Sequence, residues 1–412
     1  MERPLLVCCL LAILPLAAQA VEPIPIGLTY PRTGNYKAEG LELNRGALLA
    51  VDQINSGGGV LGRPLELLGE NSAAREITAQ QNIEKFAQRG VTMAFGGATS
   101  DEAIAAGKRA HELGMLYFAT LSYANDVTGS QGQRYLFRES NSAWMSAKVL
   151  GEYLAWHMPH RRYYYIMLDD TWGRSMESAL RTATNSQDRA SNGYSAIPAK
   201  GARHADYLKA LQKAAASESD MLVIVLLGDD LMRTIRLASN LGLSKKMQII
   251  VPNLSKSIVR EAGPTVMAGV IGTEAWTWRV PEQEKSPEGQ AFVDAFIAQH
   301  HEYPGSAAAS AYSIVRQWAD AVQRSGSLDN ETVIAALENH RYQLLKDEQQ
   351  WRAFDHQNVQ TIYAVKVKSR DEIVRSPLKQ DYFDIIHRMD GEAAAPSLDD
   401  WQQERGDNLT LQ

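Results

Sequence analysis

Short apolar runs rich in β-branched and aromatic residues recur along this chain, and helical periodicity fills most of the intervals between them. The runs are "IPIGLTY" (24–30), "PLELLGE" (64–70), "TMAFGGA" (92–98), "MLYFATL" (115–121), "YLFRES" (135–140), "YYYIMLD" (163–169), "DMLVIVLLG" (220–228), "MQIIVPN" (247–253) and "GVIGTEAW" (269–276), with a further strand near 360–367. Most are continuously apolar and not alternating, which suits strands covered on both faces in a parallel sheet. Between them, Leu41, Leu48, Val51 and Ile54 fall near one helical face, as do Ile77, Ile83, Phe86 and Ala87, and then Leu231, Ile235, Ala238 and Leu241. Strand–helix alternation of this kind predicts an α/β protein with doubly wound, open parallel sheets.

The stretch "DQINSGGGVLGR" (52–63) carries the spacing G-x-G-x-x-G through Gly57, Gly59 and Gly62. A dinucleotide fingerprint needs a strand before the glycines and a helix after them, so that phosphate meets the helix N-terminal amides. Here a helix precedes the glycines and a strand follows. Gly57 therefore reads as a helix stop, and the other glycines as the turn into the strand.

The first twenty residues have the plan of a secretory signal: Arg3, an apolar core from Leu5 to Leu16, and a small-x-small site at Ala18, Gln19 and Ala20. Cys8 and Cys9 are the chain's two cysteines and lie within that core. The mature protein expected after cleavage thus has no thiol for catalysis, disulfides or metal. A net charge of −6, with 45% hydrophobic and 22% charged residues, describes an ordinary globular chain without a nucleic-acid-binding basic stretch. The length of 412 residues allows two or three domains. From Ser369 onward the chain is charged and punctuated by Pro and Gly, and is expected to pack as a peripheral tail (369–412) on a finished domain.

The opening "IPIGLTYPRTGNYKAEGLELNRGALLAVDQINSGGGVLGRPLEL" resembles that of the type I periplasmic solute-binding proteins of ABC transporters, above all the branched-chain amino-acid-binding branch. "FAQRGVTMAFGGATSDEAIAAGKRAHELGMLYFAT", "LDDTWGRSM" and "SDMLVIVLLGDDLMRTIRLASNLGL" resemble later elements of the same family in the same order. The resemblance covers about residues 22–340 and implies two α/β lobes joined by a three-segment hinge. It places lobe 1 at 22–140 plus 275–345 and lobe 2 at 141–274 plus 346–368. It also implies a periplasmic monomer that closes on a small-molecule ligand and delivers it to an ABC permease in the inner membrane. More narrowly, the sequence is similar to the subset associated with PQQ-dependent alcohol dehydrogenase systems, for which an uncharged or acidic, partly apolar cargo is the matching expectation. A periplasmic sensory module feeding a membrane regulator and a secreted enzyme on a similar scaffold are the rival readings.

Ligands of open α/β sheets sit beyond the carboxyl ends of the strands, so the loops there supply the candidate site. The resemblance makes Tyr36 a lid from lobe 1, though a loop aromatic is also common there. Thr99 and Ser100 offer hydroxyls at a helix N-terminus, where Ser100 also suits an N-cap with Ala103 at N3. Leu121, Ser122 and Tyr123 stand where amino-acid receptors hold the ligand carboxylate, and imply a reshaped pocket. Trp172 occupies the place of a stacking tyrosine from lobe 2. Trp276 and Trp278 fit either an aromatic wall or interlobe packing. Asn253 stands where amino-acid receptors place a glutamate against the ligand's ammonium, and Leu226 and Leu227 replace polar aromatics. A buried ammonium without a carboxylate is costly, so the expected ligand is not a standard branched-chain amino acid unless Asp229, Asp230 or Glu274 substitutes.

No G-x-S-x-G, H-E-x-x-H or P-loop pattern occurs, and no cofactor or metal is called for. His157 with His160, and His300 with His301, are the close histidine pairs, and neither spacing converges on one ligand position. The acidic pairs Asp169–Asp170 and Asp229–Asp230 end strands and are expected on the ligand side.

Overall fold

A computed structural model describes residues 21–406, 408, 410 and 411; the expected signal segment, with Cys8 and Cys9, lies outside the described residues. The first sheet holds β1 (Ile24–Tyr30), β2 (Leu65–Asn71), β3 (Met93–Gly96), β4 (Leu116–Ala119) and β5 (Leu136–Arg138) in the order β2-β1-β3-β4-β5, every pair parallel. Its connections are α1 (Lys37–Ser56), α2 (Glu76–Gln88) and α3 (Ser100–Glu112). Helices Pro287–His300, Ser306–Ser325 and Asn330–Leu337 complete this lobe, the second of them lying along α1.

The second lobe begins with α4 (Ala143–His157) and contains β6 (Tyr163–Asp169), α5 (Thr171–Ala183), β7 (Tyr194–Pro198), α6 (His204–Ala216), β8 (Met221–Val225), α7 (Gly228–Asn240), β9 (Gln248–Asn253), α8 (Lys256–Ala262) and β10 (Ile271–Glu274). A small antiparallel sheet follows: β11 (Arg341–Tyr342), β12 (Gln349–Trp351) and β13 (Asn358–Val359). The chain then returns to the second sheet through β14 (Ile362–Val367) and β15 (Phe383–Met389), both antiparallel to their neighbours. The order is β15-β14-β10-β9-β8-β6-β7. The chain passes between the sheets three times: from β5 into α4, after β10, and from β13 into β14.

Burial follows the expected logic in the strands, where every residue of "MLVIV" in β8 is inaccessible. In α1 the inward face differs from the sequence expectation. Leu43, Ala47, Ala50 and Val51 are buried, whereas Leu41 and Leu48 are exposed. Small residues pack this face because the helix Ser306–Ser325 approaches so closely that a Cβ on Gly46 would stand 2.1 Å from the Ala308 carbonyl oxygen. Ile77 and Leu241 are likewise exposed.

The glycine cluster is a turn. The Gly57 N–H closes α1 on the carbonyls of Gln53 and Ile54, each at 3.1 Å. Val60 and Arg63 then exchange backbone hydrogen bonds of 2.8 and 2.9 Å around Leu61 (φ 49°) and Gly62 (φ 73°). Positive φ at both central residues is the tight hairpin geometry, and the chain runs directly into β2.

The segment from Ser369 onward departs from the tail expected of it. β15 is the edge strand of the second sheet, paired with β14 from Ile362–Met389 to Val367–Phe383. The helix Leu398–Arg405 reaches back to the first lobe: Trp401 Nε1 donates to the Thr128 carbonyl at 2.8 Å, and Arg405 Nη1 to that of Gly129 at 2.5 Å. Among the described residues, no helix is long and apolar enough to cross a membrane.

Candidate functional site

The carboxyl ends of β1, β3 and β4 face those of β8 and β9 across a cleft, and the loops leaving these strands enclose a cavity. Its empty space is about 500 Å³, with solvent at the mouth included. Tyr36 comes from the loop after β1, Ala98 from that after β3, and Leu121 and Tyr123 from that after β4. The second lobe supplies Leu227 and Gly228 after β8, and Asn253 to Ile258 around the end of β9 and the start of α8. Glu39, Glu42, Ser306 and Ala307 complete the wall. The Gly46 contact that draws α1 and the helix Ser306–Ser325 together brings these last residues to one side of the cavity.

The lobes touch at several points. Ser255 Oγ donates to Glu39 Oε1 at 3.1 Å, and the Ser257 hydroxyl donates to the same oxygen. Lys256, 5% exposed, inserts its ammonium 2.8 Å from Glu42 Oε1 and donates to the Tyr303 carbonyl, with Glu302 Oε2 at 3.6 Å. Farther along the cleft, the Thr171 hydroxyl donates to Asp101, and the Asn125 N–H donates to Ser175 Oγ at 2.9 Å. A Cβ added to Gly228 would stand 2.7 Å from the Asn35 carbonyl oxygen. The lobes are therefore in a closed arrangement.

Electrostatics inside the cleft are set by burial. It raises the Glu39 carboxyl above its ordinary value, partly offset by the Ser257 hydroxyl. Glu274, beside the Ser306 hydroxyl, is raised well above the ordinary range for the same reason, and the Glu42 charge adds to it. Burial raises Tyr36 and Tyr123 as well, so both phenols keep their protons. The side-chain amide of Asn253 is 5% exposed. Its Nδ2 donates to Ser146 Oγ at 3.5 Å, while Oδ1 finds no partner among the described residues.

Tyr36, Leu121, Tyr123, Leu227 and Asn253 thus come together around one cavity. The other candidates serve the scaffold. Thr99, not Ser100, caps α3, its Oγ1 accepting from the Glu102 N–H at 3.2 Å. Ser100 Oγ accepts from the Ala124 N–H at 3.0 Å, and Ser122 is buried with its hydroxyl directed to the Thr99 carbonyl at 3.4 Å. Trp172 is not among the residues lining the cavity: Asp170 caps α5 through the Gly173 N–H at 2.7 Å, and Trp172, in the first turn, is buried in a cluster that holds residues of both lobes. Trp276 packs edge-on against Phe292 and donates to the Leu345 carbonyl at 3.1 Å. Trp278 stacks on Tyr303 at 3.9 Å. Asp169 pairs with Arg174, Asp229 is exposed, and Asp230 accepts from Tyr207, so neither acidic pair enters the cavity.

The sequence reading missed Glu39, Glu42, Ser255, Lys256, Ser257 and Ser306. Glu39 and Glu42 are three apart on α1 and look like a solvated face until the second lobe covers them.

Against known proteins, the family described as "Periplasmic binding protein" matches residues 23–372. The chain is 23% identical over 327 residues to the Leucine-, isoleucine-, valine-, threonine-, and alanine-binding protein of Pseudomonas aeruginosa, covering 79% of this chain and 85% of that one. A crystal structure of a periplasmic binding protein from Burkholderia mallei superimposes with a TM-score of 0.80 at 21% identity, covering 92% of this chain and 97% of its own. The solute binding protein of an ABC transporter from Rhodopseudomonas palustris BisB5, in complex with 3,4-dihydroxy benzoic acid, gives a TM-score of 0.76 at 18% identity, covering 90% and 98%.

Proposed function

Because this chain belongs to the periplasmic binding protein family, we propose that it is the substrate-binding component of an ABC importer, gripping a small solute in the interlobe cleft by hinge closure. The observation that carries this reading is a cavity walled by both lobes and bridged by Glu39, Glu42, Ser255, Ser257 and Lys256. Contacts of that kind exist only when the lobes close, so they favour the closed state in which an occupant is enclosed. The protein works as a periplasmic monomer, exported by a cleavable signal in residues 1–20, and meets an inner-membrane permease transiently.

The cargo in this reading is not a standard branched-chain amino acid, and the sequence resemblance ties it to alcohol oxidation. Asn253 supports the first half, since a neutral amide lines the cavity where a carboxylate would hold an ammonium. Relatives of this fold are described with different cargo, amino acids for the Pseudomonas protein and 3,4-dihydroxy benzoic acid for the Rhodopseudomonas one.

Mass spectrometry of whatever co-purifies, followed by thermal-shift screening of alcohols, their acids and amino acids, tests the proposal. One class raises the melting temperature and is recovered unchanged. Failure of every class, or conversion of a bound compound to product, refutes it. Asn253→Glu is expected to gain leucine binding; tight leucine binding by the unaltered protein overturns the cargo assignment.

A further inference from the structure

Two residues on the cavity wall, Glu42 and Asn253, each carry a buried oxygen without a hydrogen-bond partner among the described residues; Glu42 has the Lys256 ammonium at 2.8 Å, and Asn253 is the uncharged one. Its Nδ2 lies 3.5 Å from Ser146 Oγ, which also accepts from Asn141 Nδ2 at 2.5 Å and sits 3.1 Å from Thr273 Oγ1, itself donating to the Pro252 carbonyl. Asn253 Oδ1 is buried and has no donor among the described residues. A buried acceptor left without a donor is costly, and a residue on the wall of a cavity can receive one from an occupant.

The charges on the same wall are already answered within the protein. Lys256 lies against Glu42 and the Tyr303 carbonyl, and Glu39 accepts from the hydroxyls of Ser255 and Ser257. An anionic ligand would meet Glu39 and Glu42 without a free cation, because Lys256 is spent. An ammonium would face Lys256, and would have to compete with two serines for a carboxyl whose charged form burial already disfavours. Leu121, Leu227, Leu254 and Ile258 give the remainder of the wall an apolar character. Tyr36 adds a phenol, a donor as well as an acceptor.

We infer that the cleft selects an uncharged molecule with an apolar body and a hydroxyl group, the hydroxyl donating to Asn253 Oδ1 and accepting from Tyr36. The inference rests on the substrate-binding reading above and narrows its cargo. A hydroxyl is the neutral group that donates and accepts through one atom, and it asks for no counterion.

Calorimetry on the full-length mature protein, with matched sets of short-chain compounds, tests it. Each set contains an alcohol or vicinal diol, its methyl ether, the corresponding carboxylate and the corresponding primary amine, with leucine as a common reference. The alcohol is expected to bind, and the ether, which keeps the oxygen but lacks the donor, to bind at least about tenfold more weakly. Asn253→Leu should lose a similar factor for the alcohol and leave the ether unchanged. Binding of the carboxylate, the amine or leucine more tightly than the alcohol overturns the inference, as does an ether that matches its alcohol. Those outcomes leave a solute-binding protein standing. Absence of binding by every compound, with no small molecule co-purifying, overturns the inference and the functional reading together.

Discussion

Replacing Lys256 with methionine removes the cation that the second lobe buries in the first, and keeps the length of the side chain. Lys256 and Glu42 have side-chain exposures of 5% and 7%, with the ammonium 2.8 Å from Oε1. Breaking one half of such a buried pair costs about 3–5 kcal/mol, because the remaining charge is left in a dry place. Here the two partners belong to different lobes, so opening the cleft rehydrates Glu42 and limits the loss to the closed state. A shift of about 3 kcal/mol in the closing equilibrium lowers the apparent affinity for the ligand roughly 150-fold, at about 1.4 kcal/mol per decade. The assay is calorimetry with the co-purifying solute on the wild type, Lys256→Met, Glu42→Gln and the double variant, together with urea unfolding of each ligand-free protein. The double variant, which buries no charge at either position, should recover much of the affinity. The reasoning fails if Lys256→Met weakens binding by less than about threefold, if the double variant recovers nothing, or if the entire effect appears as lost global stability.

Other perturbations probe other parts of the account. Gly228 has φ +53°, and a Cβ there would meet Asn35 of the opposite lobe. Gly228→Ala should therefore weaken ligand binding about tenfold while costing the ligand-free protein only about 1 kcal/mol for the left-handed backbone; equal affinity refutes the interlobe clash. Asp170 is pushed up from 3.8 to about 6, burial being the main cause. Its folded-state pKa is raised, so its contribution to stability is full below its unfolded value and is lost as pH rises through about 6. The stability of wild type relative to Asp170→Asn, which keeps an acceptor for the Gly173 N–H, should thus fall by up to about 3 kcal/mol across that window, less for the group's partial exposure; a flat difference by urea unfolding refutes it. Trp401→Ala should cost about 3–5 kcal/mol by calorimetric unfolding, since Trp401 is 3% exposed and anchors the C-terminal helix to Thr128; an unchanged melting temperature refutes that anchoring role.

What was legible in the sequence was decided by interactions local to one element or repeated along the chain. Central parallel strands such as β6 and β8 announce themselves because burial on both faces demands unbroken apolar runs. The edge strands of the second sheet do not, since β7 ("YSAIP") and β15 ("FDIIHRM") carry polar residues that disguise them. The glycine spacing was resolved by order alone, helix before and strand after. In the cleft, the strand-end rule pointed to the loops and the family resemblance to the residues Tyr36, Leu121, Tyr123, Leu227 and Asn253 within them, which the structure brings around one cavity. Trp172 lies outside that cavity wall, because Asp170 starts α5 just before it and its ring is buried from the helix's first turn. Glu39, Glu42 and Lys256 were invisible for a different reason. Each is a charged residue on a helix, and its partner, Lys256 for Glu42 and Ser255 and Ser257 for Glu39, comes from the opposite lobe.

The account stands or falls on closure around an unaltered guest. With Cys8 and Cys9 both inside the segment 1–20, a protein expressed from residue 21 onward with one introduced cysteine on each lobe can be spin-labelled cleanly. Interlobe distances by pulsed electron resonance, read before and after addition of the co-purifying solute, should move to a single short population, and mass spectrometry should return the solute with its mass unchanged. A distance distribution indifferent to the solute, or a solute recovered as a different compound, contradicts the account.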